Sequence, residues 1–244
     1  MAEMTYTMAL MGNPNTGKST LFNVLTGLRQ HTGNWPGKTV TRAEGEFTYR
    51  GATYRLVDLP GTYSLYSNSA DEEVARDFLL FERPDITVVV VDATALERNL
   101  NLALQVLEMT NRVVIAVNLI DEAKKNGIHI HTEKLAAKLG VPVVPVSARN
   151  REGIDALLDA VEAMAQGRIS TTPLSIRYSP EIEQGIARLL PFVTDMVGDT
   201  YPARWIALRL LDGDASLLQA LKQPPRPLAK EGNAYACCGS VKSV

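Results

Sequence analysis

Eight consecutive residues, Gly12-Asn13-Pro14-Asn15-Thr16-Gly17-Lys18-Ser19, have the types and spacing to cradle a polyphosphate. The two glycines let the backbone turn so that successive N–H groups point at phosphate oxygens. Lys18 adds a point charge, and Ser19 offers a hydroxyl to Mg²⁺. Thr20 carries the phosphate-binding run into the next segment. Three downstream groups extend this chemistry. In Asp58-Leu59-Pro60-Gly61 the aspartate can hold a water of the Mg²⁺ shell, and the Gly61 N–H can meet a γ-phosphate. In Asn118-Leu119-Ile120-Asp121 the Asp121 carboxylate can accept hydrogen bonds from guanine N1–H and the 2-amino group, which adenine lacks. Ser147-Ala148-Arg149 offers a backbone N–H to guanine O6. Taken singly, Asp58 also suits a helix cap, Asn118 and Asp121 a turn, and Ser147 the start of an ordinary loop. Their order and their shared place after strand-like runs join them into one site that selects GTP over ATP.

Mg²⁺ wants near-octahedral oxygen ligation, so a second hydroxyl is expected beside Ser19. Thr39 and Thr41 are both candidates. Gly33, Pro36 and Gly37 suit a segment ordered only by the γ-phosphate and its metal, that is, a switch.

These residues need a frame, and the hydrophobic pattern supplies one. Val- and Ile-rich runs at Met8 to Met11, Tyr54 to Asp58, Ile86 to Val91, Val113 to Val117 and Val143 to Val146 alternate with helical patterns. This predicts an α/β fold with βαβ units. Glu44 to Tyr49, joined through Arg50-Gly51 to the next run, reads as an antiparallel edge hairpin, giving a mostly parallel six-stranded sheet. Helices are expected at Lys18 to Leu28, Asp71 to Phe81, Asn99 to Thr110, Thr132 to Leu139 and Ile154 to Met164, all ligand groups lying at the carboxyl ends of strands. After Gln166-Gly167 the strands cease. Glu181 to Leu190, Ala203 to Leu211 and Ala215 to Leu221 read as a small all-helical domain broken by Pro191, Pro202 and Gly213. The expected division is 1–168, 169–222 and a flexible tail, 223–244.

Composition narrows the class. Hydrophobic residues make up 45% of the 244, charged residues 21%, and the net charge is −2, so no general attraction to nucleic acid or anionic membrane is expected. Met1 to Thr7 lacks the basic start of a secretory signal, and the apolar runs fall well short of the roughly 20 residues of a membrane span. A soluble, cytoplasmic chain that does not cross a bilayer is expected. Adjacent Cys237 and Cys238 suit neither a disulfide framework nor a zinc site, and His129 and His131 read as loop residues rather than metal ligands.

Thr32-Gly33-Asn34-Trp35-Pro36-Gly37-Lys38-Thr39-Val40 resembles the first switch of the bacterial ferrous iron transport protein B (FeoB) family. Gly12 to Ser19, Asp58 to Leu65, Asp71-Glu72-Glu73 and Arg204 to Asp214 resemble it as well, so the likeness covers roughly residues 5 to 220. It implies a P-loop GTPase domain and a helical domain that modulates nucleotide release, standing before a polytopic Fe²⁺ permease region on the cytoplasmic face of the inner membrane. Small accessory proteins of iron uptake are implied as partners. Carried over by position, Lys18 would hold the β- and γ-phosphates, Ser19 and Thr39 would ligate Mg²⁺, and Asn118 with Asp121 would read guanine. The likeness also implies K⁺ in place of an arginine finger, held by Asn15 and the carbonyls of Gly33 and Trp35, where it would offset charge developing at the β–γ bridge. Asn15, Lys18, Thr39 and Gly61 thus form the expected catalytic set. Lys38 departs from the family, which usually has an apolar residue there. Thr62 stands where Ras-like enzymes carry a water-orienting glutamine, and its shorter side chain predicts slow intrinsic hydrolysis. Trp35 would pack on the nucleotide or on a partner. The competing class is a K⁺-dependent GTPase that binds RNA in ribosome assembly or tRNA modification, disfavoured by the net charge of −2 and the lack of a basic stripe.

Overall fold

The computed structural model describes residues 4–27 and 30–224. Its centre is a sheet in the order β2-β3-β4-β1-β5-β6-β7. The strands are β1 (Thr5–Gly12), β2 (Gln30–Asn34), β3 (Thr41–Tyr49), β4 (Ala52–Asp58), β5 (Ile86–Asp92), β6 (Val113–Asn118) and β7 (Val143–Pro145). The five from β4 to β7 in that order run parallel, and β2 and β3 are antiparallel to their neighbours. β5 and β6 are almost wholly buried, which explains why they read as continuous Val and Ile runs rather than alternating ones.

Helices cover both faces. Met11, Val57, Val89 and Ile115 face a core shared with α2 (Ala70–Asp77), α3 (Leu96–Met109), α4 (Ile120–Lys125) and α5 (Thr132–Leu139). Leu10, Leu56, Val88 and Val114 face the opposite core with α1 (Lys18–Thr26) and α6 (Ile154–Ala165). The remaining helices, α7 (Pro180–Val197), α8 (Ala203–Leu211) and α9 (Ala215–Lys222), bury Ile186, Val193, Trp205, Ile206 and Leu217 in a third cluster. Leu80 joins this cluster from a π-helical turn, Phe78–Glu82, whose Phe78 and Leu79 belong to the first core. One turn therefore enters both units.

Four features differ from the sequence pattern. The sheet has seven strands among the described residues, not six, because Gln30–Asn34 pairs with β3. That segment is polar and largely exposed, so it is held by its backbone ladder and leaves no hydrophobic alternation to read. The first half of the expected switch loop, including Gly33, is thus an edge strand. Helix α7 runs through Pro191 instead of ending before it, since Ile186 and Val193 are buried on either side while the proline itself is exposed. A short helix, α4, follows directly on the Asn118 segment. Leu28, Cys237, Cys238 and the tail 225–244 lie outside the described residues. Among the described residues no helix is long and apolar enough to cross a membrane, and no group of three His, Cys, Asp or Glu residues could hold a metal ion.

Candidate functional site

Strand β1 sits between β4 and β5, where the chain changes direction across the sheet, and the loop leaving its carboxyl end runs from Gly12 to Gly17. This is the topological switch point at which open α/β sheets place ligands. The backbone there has no room to spare. A Cβ on Gly12 would lie 2.5 Å from the Val90 carbonyl oxygen, and one on Gly17 would lie 2.3 Å from Asn118 Nδ2. Gly17 also holds φ +79°, and Asn15 sits in the same left-handed region at φ 66°. Lys18 and Ser19 open α1, so the loop's N–H groups and the helix amino terminus converge on one spot, with Asn15, Ser19 and Thr20 exposed around it.

Asn118, itself buried, ties three strand-end loops together. Its Nδ2 donates to the Thr16 carbonyl (2.8 Å), and its Oδ1 accepts from the Ala148 N–H (3.0 Å). The Ser147 N–H donates to the Glu152 carbonyl (3.0 Å). The spacing offered a Ser147 or Ala148 N–H to guanine O6, whereas here both are engaged within the protein. Asn118 likewise spends its amide on the protein, which leaves Asp121 as the member of the pair with capacity to spare. Asp121 Oδ2 accepts from Asn150 Nδ2 (3.2 Å), a partner that the motif spacing did not single out. The neighbouring Ser147 hydroxyl holds the Asp121 carboxyl below the usual carboxylate range. That pair stops short of hydrogen-bond geometry, so Asp121 Oδ1 and Ser147 Oγ remain buried without partners. Leu119, between Asn118 and Asp121, adopts φ 61°, uncommon for a branched residue and a local strain at the cluster.

On the other side, Lys18 Nζ pairs with Asp58 Oδ1, both largely buried. Burial pushes the Asp58 carboxyl up, and Lys18 opposes that shift. Gly61 abuts the first loop, a Cβ there lying 3.4 Å from Pro14 Cα, and the Thr62 N–H donates to the Gly12 carbonyl (3.4 Å). Two side chains here are buried yet unpartnered: Asn13, at both its polar atoms, and Thr62 at its hydroxyl. Orphaned groups of this kind beside a glycine-lined cradle fit a site built around a polar ligand. The donor set of Ser19 hydroxyl and Asp58 carboxylate fits a hard cation such as Mg²⁺.

Thr39 lies exposed in a turn closed by Trp35 N–H to Val40 O (2.9 Å) and Lys38 N–H to Trp35 O (3.0 Å). Thr41 opens β3 and pairs with Asn34. Gly33 stands opposite Arg42 in the ladder, and the Trp35 carbonyl already accepts one hydrogen bond. The Trp35 ring is only 7% exposed. It meets Phe78 edge-on at 5.6 Å and lies under the Arg42 guanidinium, so it packs into the first core rather than onto a nucleotide. A cleft of about 720 Å³ between Leu79–Asp85, Met109–Arg112 and Asp199–Pro202 lies at the opposite ends of β5 and β6 and shares no residue with this cluster.

Known proteins share both the sequence and the shape. A family model described as ferrous iron transport protein B matches residues 6–161, and one described as the FeoB cytosolic helical domain matches residues 178–234. An Fe(2+) transporter FeoB of Salmonella typhimurium is 40% identical over 215 residues, covering 85% of this chain and 27% of that protein. Its counterpart in Methanocaldococcus jannaschii is 44% identical over 218 residues, covering 89% and 32%. The chain therefore spans under a third of the length of these curated relatives. Among solved structures, the cytosolic domain of the T. maritima FeoB iron transporter in apo form superposes with a TM-score of 0.80 at 39% identity, covering 93% of this chain and 89% of that one. The same domain in its GMPPNP form gives 0.79 at 38% identity over the same shares. These likenesses favour the iron-transport resemblance over an RNA-binding GTPase. The first family model alone accounts for well over half of the residues, including every strand-end loop of the site, and by that measure the chain belongs to the ferrous iron transport protein B family.

Proposed function

We propose that this chain is the GTP-binding and GTP-hydrolysing part of a ferrous iron transporter, working at the cytoplasmic face of the cell membrane and gating or coupling to Fe²⁺ movement through a permease region of the full-length protein. The observation that carries the reading is the junction of Gly17, Asn118 and Ala148, which locks the phosphate loop to the two loops expected to read the base. GDP- and GMPPNP-bound forms of the T. maritima relative support the choice of nucleotide. Residues up to about 168 form the nucleotide-binding part, and the helical part that follows, 169–222, modulates nucleotide release. Small accessory proteins of iron uptake are its further partners.

In this reading Lys18 exchanges Asp58 for the β- and γ-phosphates, which releases the Asp58 carboxylate toward a metal-bound water. Ser19 and Thr39 would hold Mg²⁺ by their hydroxyls, and Asp121 would orient guanine. When bound, Mg²⁺ would supply the charge that neutralises the phosphates. The Gly61 N–H would meet the γ-phosphate, and Asn15 with the Gly33 and Trp35 carbonyls would hold K⁺, whose charge would offset the charge developing on the phosphates. Thr62 does not replace a water-orienting glutamine, so hydrolysis is slow without the cation. The test is GTP hydrolysis by the wild type and Asn15→Ala in KCl and in NaCl. The wild type is expected to be faster in KCl, and Asn15→Ala to lose that difference. Equal wild-type rates overturn the cation role, and no hydrolysis in either salt overturns the enzymatic reading.

A further inference from the structure

Lys38 is a charged residue of the switch segment that the functional reading leaves unused, and its side chain is committed elsewhere. Lys38 Nζ forms an ion pair with Glu73 Oε2 on α2, at side-chain exposures of 35% and 22%. The second oxygen, Glu73 Oε1, accepts from the Ser216 hydroxyl of α9 (2.7 Å). That hydroxyl also lies 3.4 and 3.3 Å from the two terminal nitrogens of Arg76, a buried side chain that reaches Ser67 and Asp214. Burial pushes the Glu73 carboxyl up, but the hydrogen bonds from Lys38 and Ser216 outweigh it and hold the group below its usual range. One carboxylate thus joins the switch turn, α2 and the first turn of α9.

We infer that Lys38 is a positioning residue for Thr39: its pair with Glu73 holds the Trp35–Val40 turn at the end of the β2–β3 hairpin, and Ser216 makes the strength of that hold depend on the helical part. The inference rests on the proposed role of Thr39 as a Mg²⁺ ligand in the GTP state. Adjacent Cα atoms are about 3.8 Å apart across a trans peptide, so Thr39 cannot travel toward a metal at Ser19 without drawing on the Lys38 anchor. The pair therefore stabilises the form present without a γ-phosphate, and it shifts the equilibrium against GTP while leaving GDP untouched. A shift in α9 that takes Ser216 away loosens Glu73 and eases the turn's release, which gives the helical part a route to the switch.

The experiment compares Mg²⁺-dependent binding of a non-hydrolysable GTP analogue and of GDP to the chain and its variants. Lys38→Met is expected to raise analogue affinity roughly two- to five-fold, the size of a half-exposed ion pair, with GDP affinity unchanged. Lys38→Arg should keep the wild-type ratio, and Lys38→Glu combined with Glu73→Lys should restore it. Ser216→Ala should move the ratio the same way as Lys38→Met by a smaller amount. An unchanged ratio in Lys38→Met, or failure of the charge exchange to restore it, overturns the latch. Thr39→Ala separates the two readings. If it lowers analogue affinity while Lys38→Met does nothing, only the latch falls, whereas no effect of Thr39→Ala overturns the metal role and the latch together.

Discussion

In the proposed function, base selection rests on how one carboxylate is held. Asp121 has one oxygen on Asn150, the other buried without a partner, and a titration held low by Ser147, so it stays ionised and able to accept across the physiological range. Asp121→Asn replaces an acceptor pair by an amide with one donor, which opposes guanine N1–H and suits a 2-oxo group. GTP affinity is expected to fall by about 10²-fold or more, in line with losing a charged hydrogen bond and leaving donors unpaired, while xanthosine triphosphate affinity rises. Titration of both nucleotides against the variant checks this, and unchanged GTP affinity removes Asp121 from base recognition. The glycine-lined loop before α1 and the clustering of Asp121 with the strand-end loops could be anticipated from the sequence because each motif is contiguous. Asn150, Glu73 and Ser216 could not be, since their roles arise only when loops distant in the chain are brought together. The engagement of Ala148 N–H by Asn118 was hidden for the same reason: a motif names the donor but not its competitor.

At the scale of elements, sequence pattern succeeded where burial was strong. β5, β6 and α6 lie close to where apolar periodicity put them, whereas β2, held chiefly by its backbone ladder, carried no signal. Pro191 misled in the other direction, because packing on both sides overrides the local penalty of an exposed proline. The amino end of α7 shows electrostatics setting an element boundary. Arg204 on α8 donates to both oxygens of Glu183 (2.9 and 2.8 Å), and the Tyr178 N–H donates to the same group (3.0 Å). These bonds lower the Glu183 carboxyl from 4.5 to about 2, so its contribution is complete above 4.5 and disappears as pH falls toward 2. The helical part should accordingly lose stability in that acid window. Glu183→Gln should flatten this dependence, melting slightly earlier than wild type at pH 6 and differing less at pH 3, with the modest size of a solvated pair. Thermal melts followed by circular dichroism at the two pH values check it, and parallel curves for variant and wild type would count against the assignment.

At the scale of the whole molecule, contacts join the sheet-based part to the helices that follow it. Prominent among them are the π-helical turn, which sends Leu79 into the first core and Leu80 into the third, and a polar cluster around Arg76, beside the Glu73–Ser216 bond and the Tyr178–Glu108 bonds. Arg76 is 1% exposed. It bonds Asp77 (2.6 and 2.8 Å) and Ser67, and it approaches Asp214 at 3.6 Å, while Asp214 accepts from Ser67 (2.7 and 2.8 Å) and caps α9 through the Leu217 N–H (2.9 Å). Ser67 follows the Asp58–Gly61 loop, so the cluster links the segment expected to sense the γ-phosphate to the cap of the last helix. Replacing Arg76 leaves Asp77 and Asp214 desolvated without their cation, a loss of about 3 kcal/mol or more, far beyond what the missing hydrogen bonds alone would give. The chain carries a reporter for each side, since Trp35 packs in the first core and Trp205 in the third. With each tryptophan isolated by changing the other to phenylalanine, both probes should unfold at one midpoint in the otherwise native chain. In Arg76→Met the Trp205 signal should change at lower denaturant than the Trp35 signal. Coincident transitions with a stability loss under about 1 kcal/mol would remove the Arg76 cluster from the coupling between the two parts, because a desolvated carboxylate stripped of its cation cannot cost so little.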